Sequence, residues 1–187
     1  MRWDGLFEDL EARWAGLARE QIVADAAELT RAEWSRTDLP SRLRGAVGTT
    51  LRLHLSGGQA LDVHVQATGA DWVGGVLAAA DSVIVPLASL AAVEGELGAV
   101  REAPGGVVPE QSMAAVLRRV ARLRSPVRVT GVQGAALVEG TVDRVGTDHM
   151  DVARHAWDEA RRRTAVRGGM TVPFTGIGWV QALGTVL

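Results

Sequence analysis

Two groups of residues have the types and spacing to do chemistry. Arg154-His-Ala-Trp-Asp-Glu-Ala-Arg-Arg-Arg-Thr-Ala-Val-Arg167 sets five Arg against Asp158 and Glu159 and adds Trp157 and His155 as flat surfaces. Guanidinium groups neutralise phosphates and indole rings stack on bases, so Arg154, Trp157, Arg161, Arg162, Arg163 and Arg167 are candidates for tracking a nucleic-acid backbone. The same composition also fits a solvated hairpin tip whose Arg side chains pair with the acidic N-terminal segment. The second group, His54, Asp62 and His64, falls on the outward face of an alternating stretch, with His54 expected opposite Asp62 and Arg52 opposite His64. Three such side chains could hold a metal or could form cross-strand polar pairs, and no fourth ligand is visible. A further basic cluster, Arg118, Arg119, Arg122 and Arg124, suits the C-terminal end of a helix, where cations complement the backbone dipole.

Composition narrows the chemistry further. The 187 residues include no Cys, Lys or Tyr. A thiolate nucleophile, a disulfide framework, a Schiff base and a P-loop are therefore all excluded. Nor is there a Gly-x-Ser-x-Gly elbow, a dinucleotide fingerprint or a His-Glu-x-x-His pair, and Asp143, Asp148 and Asp151 sit in or beside a turn, where solvation accounts for them. The sequence thus predicts a non-catalytic protein with no cofactor and no metal. Net charge is -2, which supplies no overall attraction to nucleic acid, but the charge is uneven: residues 1–38 carry nine acids and five Arg, and residues 112–126 four Arg and no acid.

The elements that must position these groups are organised by an internal repeat. Val83-Ile-Val-Pro-Leu-Ala-Ser-Leu-Ala-Ala-Val93 returns as Met170-Thr-Val-Pro-Phe-Thr-Gly-Ile-Gly-Trp-Val180. A segment used twice implies one supersecondary unit used twice. Each copy opens with a short helical stretch, around Leu39-Pro40 and over Ser112 to Arg124. Alternation follows, with Leu51, Leu53, Leu55, Leu61, Val63 and Val65 inward in the first copy and Val127, Val129 and Leu137 to Val145 filling the same slots in the second, after a one-residue shift. A third strand is expected at Asp71 to Leu77 and His149 to Ala153, a fourth ending at Pro86 and Pro173, and a short fifth after one tight turn. Trp72 and Trp179 are expected as core or interface filler.

Before the repeat, Trp3, Phe7, Leu10, Trp14 and Leu17 are spaced as a heptad seam. The seam fits either a helix folded back on the rest of the chain or a coiled-coil arm joining two chains, which makes those five residues a candidate oligomer interface. The chain is accordingly divided into a helical arm (1–37), a first barrel (38–93), a Pro- and Gly-containing linker (94–111) and a second barrel (112–187). Residues 73–93 approach the length of a bilayer span, but Asp81, Gly74-Gly75 and Pro86 read as consecutive strands, so no membrane partner is expected. The start lacks a basic region followed by an apolar core, which predicts a cytoplasmic location.

A helix, then Val-x-Val, a Gly turn, Gly140-Thr-Val-Asp-Arg-Val-Gly-Thr-Asp-His-Met-Asp-Val152 and a Val-Pro closing pair: this order resembles the Sm-like (LSm, Hfq-type) small barrel, particularly the version at the C-terminus of the bacterial ribosome maturation factor RimP. The whole arrangement is also similar to actinobacterial proteins labelled Fis-family regulators, although no segment resembles a Fis helix-turn-helix. The resemblance implies an α+β, mainly β fold: an N-terminal helical arm and two Sm-like, SH3-like five-stranded barrels, each preceded by a short helix. It also implies binding of RNA, ribosomal components or further copies of the chain through strand edges. His149-Met150-Asp151 is similar to the His-Met-Asn of the family's first motif, with Asp151 in place of the Asn, while the Arg-Gly pair of its second motif is missing from both copies. The function expected is therefore a protein-interaction or scaffolding protein that self-associates or grips a protein partner; the alternative is an RNA-binding or ribosome-associated factor using residues 154–167.

Overall fold

Alternation of Leu and Val with polar residues builds the first hairpin. In β1 (Thr50–Leu55) and β2 (Ala60–Thr68), Leu51, Leu53, Val63 and Val65 are fully buried while Arg52 and Asp62 are exposed, the two-residue period of a sheet with one face on a core. The computed structural model describes residues 28, 34, 35, 37–78, 81–97, 111–155 and 168–182. The chain divides into two compact units, Met1–Asp38 and Leu39–Leu187. Within the first, the amide of Thr37 donates to the carbonyl of Trp34.

In the second unit the described elements follow as α1 (Leu39–Gly45), β1, β2, β3 (Trp72–Val76), β4 (Ser82–Pro86), β5 (Leu90–Glu94), α2 (Met113–Leu123), β6 (Pro126–Gly131), β7 (Ala136–Val145), β8 (His149–Arg154), β9 (Gly169–Pro173) and β10 (Ile177–Ala182). The two copies match in detail. Pro86 and Pro173 have nearly the same backbone (φ -61, ψ 136 and φ -62, ψ 142) and each leads into one 3-10 turn, Leu87–Ser89 and Phe174–Gly176. Fixed proline φ and the missing amide donor stop both strands at the same point. Equivalent bulges bend both copies, between Val65 and Ala67 in β2 and between Val142 and Arg144 in β7. The one-residue difference between the copies is a further irregularity in the β6–β7 ladder, where Val129 pairs Val138 but Thr130 pairs Ala136, so that Leu137 is the extra residue.

The expected pair of separate five-stranded barrels is corrected. All ten strands form one antiparallel sheet in the order β5-β1-β2-β3-β4-β10-β6-β7-β8-β9, with two α-helices among the described residues. Each copy contributes a block ordered fifth, first, second, third, fourth, and the fourth strand never returns to pair with its own fifth. Instead β4 pairs β10: Ile84 faces Val180, Val83 faces Gln181 and Ser82 faces Ala182. The physical reason lies in β4, whose five residues are all buried; a strand apolar on both faces has to be flanked and covered on both sides. The expected helical arm, residues 1–37, falls almost wholly outside the described residues.

Two cores lie on this sheet. The first contains Leu43 and Ala46 beside Leu51, Leu53, Leu55, Val63, Val65, Val73, Val83 and Val85. The second contains Met113, Val116, Leu117 and Val120 of α2 beside Val127, Val129, Val138, Val142, Met150, Val152, Val172, Ile177 and Val180. α2 buries its i, i+3, i+4, i+7 face there, and its N-terminus is held from the first copy: the amide of Met113 donates to Asp71 Oδ1 at 2.7 Å and Trp72 Nε1 donates to the Gln111 carbonyl at 2.8 Å.

Candidate functional site

The site that the fold builds is a junction between repeats and the two free sheet edges that correspond to it. At the junction each copy sends side chains into the other's core. Ile84 and Trp72 belong by sequence to the first copy but lie in the second core, and Trp179 of β10 packs against the first. Polar contacts add register: Ser89 Oγ donates to the Ile177 carbonyl at 2.5 Å, Gln181 Nε2 to Asp81 Oδ2 at 3.3 Å, and Gln59 Nε2 to the Gln133 carbonyl at 3.3 Å. The two equivalent turns touch so closely that a methyl group at Gly57 would overlap the Val132 carbonyl.

The outer edges are the counterparts of the strands at that junction. Among the described residues, β5, the first copy's fifth strand, pairs only β1, and β9, the second copy's fourth, pairs only β8. Their burial differs from that of their counterparts accordingly: β9 has one buried residue, Val172, where β4 has five, and β5 has none where β10 has four. The substitutions between copies follow the same division. Ile84, Trp179 and Ser89 at the junction correspond to Thr171, Ala92 and Gly176 at or beside the free edges. Thr171 Oγ1 donates to Asp151 Oδ1 at 2.6 Å, so a polar pair stands at the edge where the junction has Gly74 opposite Ile84. An edge strand displays unpaired amides and carbonyls, which is a template for another strand.

The residues singled out by chemistry are placed as follows. Arg154 is exposed at the end of β8, and its backbone amide donates to the Gly168 carbonyl at 2.9 Å. Trp157, Arg161, Arg162, Arg163 and Arg167 lie outside the described residues, as do Trp3, Phe7, Leu10, Trp14 and Leu17. His155 is buried, 2.7 Å from Thr141 Oγ1 through Nε2, and is not a surface for stacking. The expected register of the His54 group is corrected: Arg52 pairs Asp62, Thr50 pairs His64, and His54 faces Ala60 on β2 and Ala92 on β5. The difference is where the turn closes, with the Leu55 amide donating to the Gln59 carbonyl at 2.8 Å. The side chains form cross-strand pairs, Arg52 to Asp62 at 3.3 Å and His54 Nε2 to Glu94 at 3.1 Å. No group of three or more metal-ligating side chains occurs among the described residues. Arg118, Arg119, Arg122 and Arg124 are exposed along and just after α2, and Arg118 Nη2 donates to the Gly146 carbonyl at 3.1 Å. Asp148 is exposed, and a hydrogen bond from His149 Nδ1 at 2.8 Å lowers its pKa below the ordinary carboxylate value. No helix among the described residues is long and apolar enough to cross a membrane.

Which strands form the edges escaped the sequence reading, although one signal pointed to them. Val83-Ile-Val85 is apolar at every position whereas Met170-Thr-Val172 alternates, the difference between a strand enclosed on both faces and one at a margin. Compared with protein-family models, with curated proteins and with solved structures, the chain finds no match.

Proposed function

We propose that the chain is a non-catalytic protein-interaction or scaffolding module that grips extended polypeptide by strand addition at its two sheet edges, β5 and β9. The observation that carries this reading is the β4–β10 junction, which is a strand-addition contact between the two repeats, while the matching strands at the outer ends have no outer partner strand among the described residues. Main-chain hydrogen bonds supply affinity in such contacts and alternate side chains supply selectivity. The exposed small residues Ala91 and Ala92 on β5 leave room for a partner's side chains beside Leu90 and Val93.

The test is selection of peptides from a displayed random library on the full chain and on variants with Pro at an edge, Ala92→Pro and Thr171→Pro, which remove an amide donor from the ladder. Enrichment of extended, alternating sequences on the wild type and its loss on a Pro variant supports the reading. Equal enrichment on all three proteins, or none on any, overturns it. Anisotropy titration with single-stranded RNA addresses the alternative reading, an RNA-binding or ribosome-associated factor using residues 154–167. Micromolar binding that weakens steeply with salt, and is lost on changing Arg161, Arg162 and Arg163 to Glu, would favour that alternative.

A further inference from the structure

The turn between β2 and β3 and the turn between β7 and β8 are the same corner built twice. In the first copy the Gly69 amide donates to the Trp72 carbonyl and the Leu87 amide to the Asp71 carbonyl, both at 2.9 Å; in the second the Gly146 amide donates to the His149 carbonyl at 2.9 Å and the Phe174 amide to the Asp148 carbonyl at 2.7 Å. Asp71 and Trp72 therefore correspond to Asp148 and His149. The first corner holds the start of α2: Asp71 Oδ1 accepts the Met113 amide at 2.7 Å, and Trp72 Nε1 donates to the Gln111 carbonyl at 2.8 Å. A carboxylate and a ring N–H thus clasp the amide of the helix's first residue and the carbonyl two residues before it. That carbonyl lies so close over Gly69 that a Cβ there would overlap it.

In the second corner the same two functions are turned on each other. His149 Nδ1 donates to Asp148 Oδ1 at 2.8 Å, with the two side chains 45% and 85% exposed, and the His149 ring lies over Gly146. We propose that the Asp148–His149 corner is a docking site for the start of a helix in a partner polypeptide, with Asp148 accepting the amide of the helix's first residue and the His149 ring donating to the carbonyl two residues earlier. An ionised carboxylate makes a strong bond to an amide and complements the positive end of the helix dipole. Once the incoming amide takes Asp148, the imidazole has a ring N–H to give elsewhere. Little is lost in the exchange, because an exposed pair contributes little. The contact is separate from main-chain pairing along β5 and β9, and it reads a helix end instead of an extended chain. Both groups it clasps belong to the backbone, so it selects a conformation and rejects one residue, Pro at the first helical position, which has no amide to donate.

Amide NMR of the labelled full chain tests the site. The probe is an acetylated peptide that opens Gln-Ser-Met, as residues 111–113 do, and continues as an alanine-rich helix with Arg for solubility. Saturable shifts centred on Gly146 to His149 and on Phe174 are expected, with a dissociation constant on the order of millimolar, as suits two hydrogen bonds. The same peptide with Pro in place of Met keeps its helix, since Pro suits that position, but should bind at least about tenfold more weakly. Asp148→Ala, verified as folded by circular dichroism, should weaken the Met peptide to the same extent. His149→Ala should weaken it several-fold, and His149→Trp, which copies the first corner, should restore it. No shifts at this corner, or equal binding of the two peptides, or full binding to Asp148→Ala, would overturn the proposal. A fall in the mass measured by light scattering on Asp148→Ala alone would show the corner already taken by another copy of this chain, and would overturn its assignment to a foreign helix.

Discussion

Ile84 is the residue whose position says most about this chain. It belongs to the first repeat, yet it is fully buried in the core of the second. Truncation of a buried aliphatic side chain costs about 2–5 kcal/mol. Ile84→Ala should therefore lower the urea midpoint markedly, whereas Thr171→Ala at the corresponding free edge should change stability by less than about 0.5 kcal/mol. Equal effects would mean that the two positions are not in different environments. Asp148 offers a prediction in pH. His149 donates to its carboxylate and depresses its pKa, so the contribution is present above the ordinary carboxylate pKa and is lost as pH falls through the depressed one. His149→Ala should move the Asp148 titration, followed by carboxyl NMR, upward toward the ordinary value. Asp148 is fully exposed, so overall stability should hardly respond.

At the scale of elements, α2 is capped from a distance. Ser112 precedes the helix without a capping side-chain bond, and Asp71 on the approach to β3 accepts the Met113 amide instead. Loss of a capping carboxylate costs about 0.5–2 kcal/mol, so Asp71→Ala should lower the thermal midpoint, and Asp71→Asn should recover part of it. Such a cap is invisible in sequence because Asp71 and Met113 are far apart along the chain. Much else was legible. The Leu–Val alternation of β1 and β2 and the Val-Pro repeat placed strands, because period and proline act locally. What could not be read was which strand would pair with which. A repeat states that two units are alike, and it leaves open whether the fourth strand closes on its own fifth or on that of the other copy. The His54 face went wrong for a related reason: alternation fixed the outward face, but the turn closing at Gln59 fixed the partner. The Arg-rich stretch could be recognised by composition, whereas an unpaired edge is a property of the whole sheet.

For residues 39–187 as a whole, the exchange of side chains at the junction decides how the unit unfolds. The two cores could behave as independent domains only if their boundary could open without exposing either. Opening β4 from β10 would expose Ile84 and Trp72 from the second core and Trp179 from the first, and would unpair the five-residue, fully buried β4 along one side. It would also leave α2 without the Asp71 and Trp72 contacts that hold its start. Large apolar side chains cost roughly 1.5–3 kcal/mol each on exposure, so three of them set a cost of several kcal/mol before any hydrogen bond is counted. That is a substantial share of the roughly 5–15 kcal/mol that holds a domain together. The repeats should therefore unfold together. Native-state hydrogen exchange can test this, because the amides of Val63 and Val65 report on the first core and those of Val142 and Val152 on the second. The same opening free energy at both sets, and the same loss at both on Ile84→Ala, is the expected outcome. If the second set weakens while Val63 and Val65 keep their protection, the copies unfold separately and the junction is a contact between domains, not the centre of one cooperative sheet.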